Sequence, residues 1–159
     1  MKIFVTTGTT EFRSLIDTCL VELFQHEVII QSPFFNDFES KYGGRGNIKF
    51  YSFVDNIADF YDWADLIITH AGAGSVYNLL ELNKKVIVVP NLDRNDQHQA
   101  QLADFVLESN YASVCRNLSE LNLVIESCLI SEFNAYKNET FCGAADILKL
   151  FGLRVKFNV

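Results

Sequence analysis

The stretch DLIITHAGAGSVYNLLELNKKVIVVP (65–90) decides the fold, because it places a glycine-rich turn and a helix-like segment between two apolar runs. The runs DLIIT (65–69) and VIVVP (86–90) are short and apolar, which is typical of strands that are buried on both faces. Between them, SVYNLLELN (75–83) has the spacing of a helix. The stretch therefore predicts a strand, a helix and a second strand in one parallel sheet.

The same alternation of strands and helices continues on both sides of this stretch. Four more strands are predicted at KIFVTT (2–7), EVIIQ (27–31), IKFYSF (48–53) and YASVC (111–115). Helices are predicted over about 12–24, 54–64, 97–109, 118–129 and 134–151. We therefore expect α/β structure: a single doubly wound, parallel-sheet (Rossmann-like) domain over 1–151, followed by a tail at 152–159.

The apolar positions of these helices predict which side chains face the core. In the first helix the inward positions are Phe12, Leu15, Ile16, Cys19, Leu20, Leu23 and Phe24. In the helix at 97–109 they are Leu102, Ala103, Val106 and Leu107. Asn117, with Glu120 three residues later, predicts an N-cap with a capping box at the start of the helix that follows.

Composition and charge restrict the class of protein. The chain has 159 residues, of which 49% are hydrophobic, enough for one well-buried core. Its formal net charge of −7 argues against nucleic acid as a partner. Because a strand-like segment follows Met1 directly, a signal peptide is not expected, and no apolar run approaches the ~20 residues of a membrane span.

The four cysteines are scattered along the chain, at Cys19, Cys115, Cys128 and Cys142. None of them forms a CxxC pair or has a histidine at ligand spacing, so a zinc site or a disulfide framework is not expected. Reduced thiols in the core of a cytosolic protein account best for this pattern.

Three loops follow predicted strands and are expected to meet at one edge of the sheet, where doubly wound domains bind their ligands. They are TTGTTEF (6–12), HAGAGS (70–75) and NLDRNDQHQAQLA (91–103). Each loop also has a plain structural interpretation, as a capped turn, a glycine-rich turn with a structural histidine, or a solvated first turn of a helix. Their convergence on one edge favours a shared ligand site.

The second loop has the features of an anion site. Gly72 and Gly74 allow close approach of the backbone, and Ser75 can cap the helix that follows. The N–H groups of its first turn, together with the helix dipole, favour a phosphate or diphosphate, and His70 can donate to the same anion. In the third loop, the long polar side chains of residues 96–99 are suited to bonding several hydroxyls at once.

The order VTTGTTEF (5–12), HAGAGS (70–75) and VPNLDRNDQHQAQLA (89–103) resembles the donor-binding, C-terminal half of GT-B glycosyltransferases. More narrowly, it resembles the small subunit of two-component UDP-sugar transferases. These include the transferase that adds the second GlcNAc to dolichol-linked chitobiose, and bacterial capsule or exopolysaccharide counterparts. The lipid II-forming GlcNAc transferase carries a similar half in a longer chain. The resemblance extends from about residue 2 to residue 150.

This resemblance implies a set of nucleotide-sugar contacts. Residues implied to line the nucleotide-sugar cleft or to meet the uracil are Gly8, Thr9, Thr10 and Val54. Residues implied to cradle the diphosphate are His70, Gly72, Ala73, Gly74 and Ser75. His98 and Gln99 match the pair that reads the donor sugar, with Asp96 just ahead of them, and Asn78 stands where many relatives carry an acidic residue that binds the ribose.

The resemblance also implies the reaction. It is an inverting transfer of GlcNAc, galactose, glucose or glucuronic acid from a UDP-sugar to a lipid-linked saccharide, with no metal or other cofactor. The acceptor half and its catalytic base are expected in a membrane-associated partner subunit, docked in part through the C-terminal tail, at the cytoplasmic face of the membrane. Two alternatives stay open: a nucleotide-sugar-binding module without turnover, and an enzyme similar to UDP-sugar epimerases.

Overall fold

The computed structural model describes residues 1–34, 38, 46–92 and 97–137 of the chain. The domain end expected at 151 and the tail at 152–159 lie outside these residues, as do Asp96 and Cys142.

Six parallel strands form one sheet in the order β3-β2-β1-β4-β5-β6. The strands are β1 Lys2–Thr6, β2 Glu27–Gln31, β3 Ile48–Tyr51, β4 Leu66–His70, β5 Val86–Val89 and β6 Ser113–Val114. The order runs outward from β1 in one direction and from β4 in the other, so it reverses between these two strands. This arrangement confirms the doubly wound fold and puts the ligand edge at the carboxyl ends of β1 and β4.

Helices cover both faces of the sheet. They are α1 Arg13–Glu22, α2 Ile57–Trp63, α3 Ala73–Glu81, α4 His98–Glu108 and α5 Leu121–Ile130, with a 3-10 turn at Leu118–Glu120. Helices α1 and α5 share one hydrophobic cluster with Ile3, Val5 and Ile68, whereas α2, α3 and α4 share the other with Phe4 and Ile67. Successive residues of β1 and β4 thus enter opposite cores, which explains why their sequences are apolar without alternation.

Two predicted inward positions were wrong. Phe24 lies beyond the end of α1 and is 56% exposed, because the chain turns at Leu23, whose carbonyl accepts the His26 N–H at 2.9 Å. Leu107, near the end of α4, is 54% exposed, whereas Ala103 and Val106 are fully buried. The apolar face of α4 is therefore narrower than the sequence pattern indicated.

The last predicted helix is also wrong in the part that the structure describes. Helix α5 ends at Ile130, and residues 131–137 are not helical. The Asn134 N–H donates to the Asn110 carbonyl at 2.8 Å, and the Asn134 side chain donates to the Ser109 carbonyl at 2.9 Å. These bonds hold the segment across the end of α4. The remainder of this predicted helix, 138–151, lies outside the described residues.

The predicted N-cap is confirmed, with a difference in detail. Asn117 Oδ1 accepts the Ser119 N–H at 3.2 Å. Glu120 accepts from the Asn117 side-chain amide at 3.2 Å, and the turn they close is 3-10 rather than α-helical.

Cys19, Cys115 and Cys128 are buried free thiols, in agreement with their expected place in the core. Burial raises the pKa of the Cys115 thiol to about 11, and burial also raises the pKa of Cys19, which lies near Cys115. Within the described residues, no helix is long and apolar enough to cross a membrane.

Replacing Ile68, which is fully buried in β4, by alanine is expected to lower the free energy of unfolding by about 2–5 kcal/mol, because the cavity left in the central strand cannot collapse fully. Ile130→Ala is the matched control, since Ile130 is 86% exposed and its loss is expected to cost about 0.5 kcal/mol or less. Urea unfolding followed by circular dichroism measures both. Equal effects of the two substitutions would contradict the central position of β4.

Candidate functional site

Two clefts open at the carboxyl edge of the sheet, on either side of the turn between β1 and α1. The first, which we call the sugar-side cleft, has a volume of about 530 Å³ and lies between the N-termini of α3 and α4. Its wall includes Thr10, His70, Gly72, Ala73, His98 and Gln99. The second, the base-side cleft, has a volume of about 260 Å³ and includes Gly8, Thr9, Gln31 and Val54. The structure thus brings nine of the predicted site residues to one edge.

The His70 imidazole lies between the two glycine turns of this edge. His70 is the last residue of β4 and is buried. A Cβ atom placed on Gly72 would lie 2.3 Å from His70 Nε2, and one placed on Gly8 would lie 2.9 Å from His70 Cε1. The ring therefore occupies the space that side chains at both glycines would need. Gly8 also has a φ of +58°, a left-handed conformation that favours glycine.

The N-terminus of α3 supplies backbone donors beside this ring. Gly72 is the N-cap, and the Val76 N–H donates to the Gly72 carbonyl at 3.0 Å in the first helical bond. The N–H groups of residues 73–75 precede that bond, so they lack partners within the helix and are available to an anion at the helix end. The first turn contains no acidic residue that would compete with the anion.

Ser75 does not cap this helix, contrary to expectation. The helix begins two residues earlier than predicted, at Ala73, and no side chain forms a cap hydrogen bond. Gly72 is the N-cap residue, and a glycine suits this position because a Cβ atom there would overlap the His70 ring. Gly74 differs from Gly72, since a Cβ there would meet nothing within 4 Å. Gly74, Ser75 and the exposed Asn78 line neither cleft.

The β1–α1 turn is held by a side chain that sequence reasoning missed. Gln31, the last residue of β2, is buried, and its Nε2 donates to the Gly8 carbonyl at 3.1 Å and to the Ser52 carbonyl at 3.0 Å. Thr6 Oγ1 donates to Gln31 Oε1 at 2.6 Å and accepts the Gly8 N–H at 3.1 Å. The signal available in the sequence was a glutamine at the end of the apolar strand EVIIQ (27–31).

The third loop is tied to α4 by Gln99. This side chain is buried, and its Oε1 accepts the Asn91 N–H at 2.9 Å. The oxygen of the amide is thus engaged by the backbone that follows β5, and it is the Nε2 end that remains for a ligand hydroxyl. His98 is exposed at the first position of α4 and lines the sugar-side cleft.

Two aromatic side chains complete the sugar-side cleft and were not predicted. Tyr77 on α3 and Phe105 on α4 have ring centroids 6.2 Å apart. Tyr77 also stacks at 5.6 Å on Tyr136, in the segment that crosses the end of α4. The spacing of apolar residues gave no sign that these rings belong to a site, because aromatic residues on helices more often face a core.

Metal ligands do not cluster here. Among residues 1–34, 38, 46–92 and 97–137, no group of three or more His, Cys, Asp or Glu side chains is placed to hold a metal ion.

Residues 2–149 match the model of the glycosyltransferase family 28 C-terminal domain. The chain belongs to this family. Its six-stranded parallel sheet is that of the C-terminal half of a GT-B glycosyltransferase, so the fold and the family agree with the expectation from the sequence.

Similar proteins share the domain over different lengths. The UDP-N-acetylglucosamine transferase subunit ALG13 of Yarrowia lipolytica is 29% identical over 141 residues, covering 78% of this chain and 69% of that protein. The ALG13 protein of Saccharomyces cerevisiae is 46% identical over 54 residues, which is 34% of this chain and 27% of that protein. In this second match, the chain covers only about a quarter of the length of the Saccharomyces cerevisiae protein.

Solved structures extend the likeness to the whole fold. An NMR solution structure of ALG13 superimposes with a TM-score of 0.62 at 25% identity, covering 92% of this chain and 94% of that chain. The MurG structure from Acinetobacter baumannii superimposes with a TM-score of 0.66 at 23% identity, over 81% of this chain and 43% of that chain. The second comparison shows the fold alone, as one part of a longer chain.

Gly72→Ala and Gly74→Ala form a matched pair that tests the contact with His70. Gly72→Ala is expected to lower the free energy of unfolding by about 1–3 kcal/mol, because its Cβ overlaps the imidazole. Gly74→Ala is expected to be neutral or to stabilise by up to about 1 kcal/mol, because alanine favours the helix and meets no neighbour. Thermal or urea unfolding measures both.

The double variant Gly72→Ala/His70→Ala sharpens this test. Removing the ring removes the overlap, so the double variant is expected to be more stable than the sum of the two single changes predicts. Strict additivity would show that the ring and Gly72 are not in contact.

Proposed function

We propose that this chain is the donor-binding subunit of an inverting glycosyltransferase that uses a UDP-sugar. The observation that carries the proposal is the position of the His70 ring and the α3 N-terminus between the two clefts at the switch point of the sheet. A diphosphate placed there meets backbone N–H groups and the positive end of a helix dipole. The uracil and the sugar, which are attached at the two ends of this diphosphate, then lie on opposite sides of the β1–α1 turn.

The base-side cleft fits a planar ring. Its wall is mainly apolar and combines the half-buried Val54 and Ile57 with the exposed Phe53. We assign the uracil to this cleft, with Val54 as a contact, and the sugar to the cleft lined by His98 and Gln99. Asn78, which is exposed on α3 and lines neither cleft, and Asp96, which lies outside the described residues, are assigned to the ribose and to the sugar side on the resemblance alone.

In the transfer step, the acceptor oxygen forms a bond to the sugar anomeric carbon from the face opposite the diphosphate. The bond between that carbon and the diphosphate oxygen breaks, and negative charge develops on the departing UDP. The α3 N-terminus stabilises that charge through fixed dipoles, which need no reorganisation during the reaction. His98 and the Gln99 amide orient the sugar. The acceptor hydroxyl loses its proton to a base that we assign to the partner subunit.

The printed names of the relatives support the choice of donor and the proposal of a partner. Similar proteins are UDP-N-acetylglucosamine transferase subunits, which favours UDP-GlcNAc over UDP-galactose, UDP-glucose and UDP-glucuronic acid. The word subunit in those names supports a second chain, which we propose is membrane-associated and binds the lipid-linked acceptor at the cytoplasmic face. The proposal requires no cofactor.

Calorimetric titration with UDP and the four UDP-sugars tests the donor site. The wild-type chain is expected to bind UDP, and His70→Ala is expected to weaken this binding roughly tenfold or more, equivalent to about 1.4 kcal/mol. His26→Ala is the matched control, since His26 precedes β2 at the opposite edge of the sheet and should leave the affinity unchanged. Failure of the wild-type chain to bind any uridine nucleotide, alone or with its partner, would reject the donor-site assignment.

Transfer assays separate an enzyme subunit from a binding module. The chain alone is expected to be inactive, and a co-expressed acceptor subunit is expected to restore sugar transfer. Gln99→Ala should then change the preference among UDP-sugars more than it changes the affinity for UDP, because Gln99 lies on the sugar side. UDP-sugar binding without transfer in the presence of every acceptor subunit would favour a non-catalytic module.

A further inference from the structure

Gln31 joins two loops that meet at the base-side cleft, and one of them, the β1–α1 turn, also reaches the sugar-side cleft through Thr10. Its backbone lies at the end of β2, and its side chain is only 4% exposed. The amide orientation is fixed by its partners, because Oε1 accepts from the Thr6 hydroxyl while Nε2 donates to two carbonyls. Those carbonyls belong to Gly8, in the β1–α1 turn, and to Ser52, in the loop that leads to Val54.

The backbone on both sides of Gln31 reinforces this link. The Thr7 N–H donates to the Gln31 carbonyl at 3.1 Å, and the Ser32 N–H donates to the Tyr51 carbonyl at 2.9 Å. The ladder between β1, β2 and β3 therefore continues up to the two loops and ends there. Beyond the ladder, the side-chain amide of Gln31 connects the two loops by donating one hydrogen bond to each.

The hydrogen bonds of Gly8 show how Gln31 acts on the β1–α1 turn. Its carbonyl oxygen is held by the Gln31 amide, and its N–H is held by Thr6 Oγ1. The left-handed Gly8 turn also lies against the His70 ring. The negative end of the Gly8 carbonyl dipole is thus directed to an N–H donor rather than left to face an anion.

We propose that Gln31 is a positioning residue for the nucleotide, which sets the distance between the β3–α2 loop and the β1–α1 turn through its bonds to Ser52 and Gly8. This inference rests on the proposed UDP-sugar function. Because Gln31 is bonded to both loops, its loss is expected to weaken the binding of ligands that contact both loops, such as UDP, more than it lowers the stability of the fold.

Gln31→Glu is the decisive variant, because it keeps the shape and the acceptor for Thr6 while replacing the two N–H donors with an oxygen. At pH 8 the carboxylate repels the Gly8 and Ser52 carbonyls, and UDP affinity is expected to fall roughly tenfold or more. A carboxyl buried among carbonyl oxygens has a raised pKa, so lowering the pH protonates it and restores one donor. The ratio of variant to wild-type Kd is therefore expected to shrink between pH 8 and pH 5.5.

Asn47→Asp is the matched control. The Asn47 amide also bridges two carbonyls, donating to Phe24 at 2.8 Å and to His26 at 2.7 Å, but it does so at the opposite edge of the sheet. This variant makes the same chemical change and should leave the UDP Kd within about twofold of wild type at every pH, even where it lowers thermal stability. All titrations are run at a temperature at which circular dichroism shows each variant fully folded.

Gln31→Met and Thr6→Val provide independent variants if Gln31→Glu does not fold. Met keeps the volume and removes all three hydrogen bonds, and its UDP affinity is expected to fall without any pH-dependent recovery relative to wild type. Thr6→Val removes the hydroxyl that orients the amide. If the folded variants bind UDP with the same affinity as the wild-type chain, the positioning role is overturned and the donor-site assignment stays intact. Absence of UDP binding by the wild-type chain would reject both.

Discussion

The contact of the His70 ring with two glycine turns is the constraint on which the rest of the site depends. Strands β1 and β4 are neighbours in the sheet, so the turns that follow them lie side by side. One imidazole fills the space above both, and it leaves no room for a Cβ at Gly8 or Gly72. The His70 ring therefore sets how closely the two turns can approach each other.

An acidic chain can hold an anionic donor when the local field differs from the net charge. The formal net charge of the chain is −7, yet the described lining of the sugar-side cleft contains no Asp or Glu side chain. The first turn of α3 likewise contains none. Backbone dipoles at that turn attract an anion over a few ångströms, whereas surface carboxylates farther than about 10 Å away are screened by salt.

The sequence predicted what depends on local pattern. The apolar runs of β1, β4 and β5 and the polar loops after them indicated a parallel sheet with three loops at one edge, and the structure has the parallel sheet and brings described residues of the three loops to that edge. It did not predict contacts between distant segments. The contact of Gly8 with the His70 ring and the Gln31 bridge to residues 23 and 21 positions away in the sequence are both contacts of this kind.

The two buried glutamines at the carboxyl edge of the sheet hold neighbouring segments in place through neutral side-chain amides. Gln31 and Gln99 each use an amide oxygen to accept from a neighbouring group on a strand or loop, and Gln31 also donates to two carbonyls. A carboxylate in either place would lose the donors and would add a negative charge near the diphosphate that we propose binds at this edge. A cation would need a counter-ion of its own when the donor site is empty. A neutral amide satisfies donors and acceptors together, so it can order the loops of an anion site without changing the charge that the anion meets.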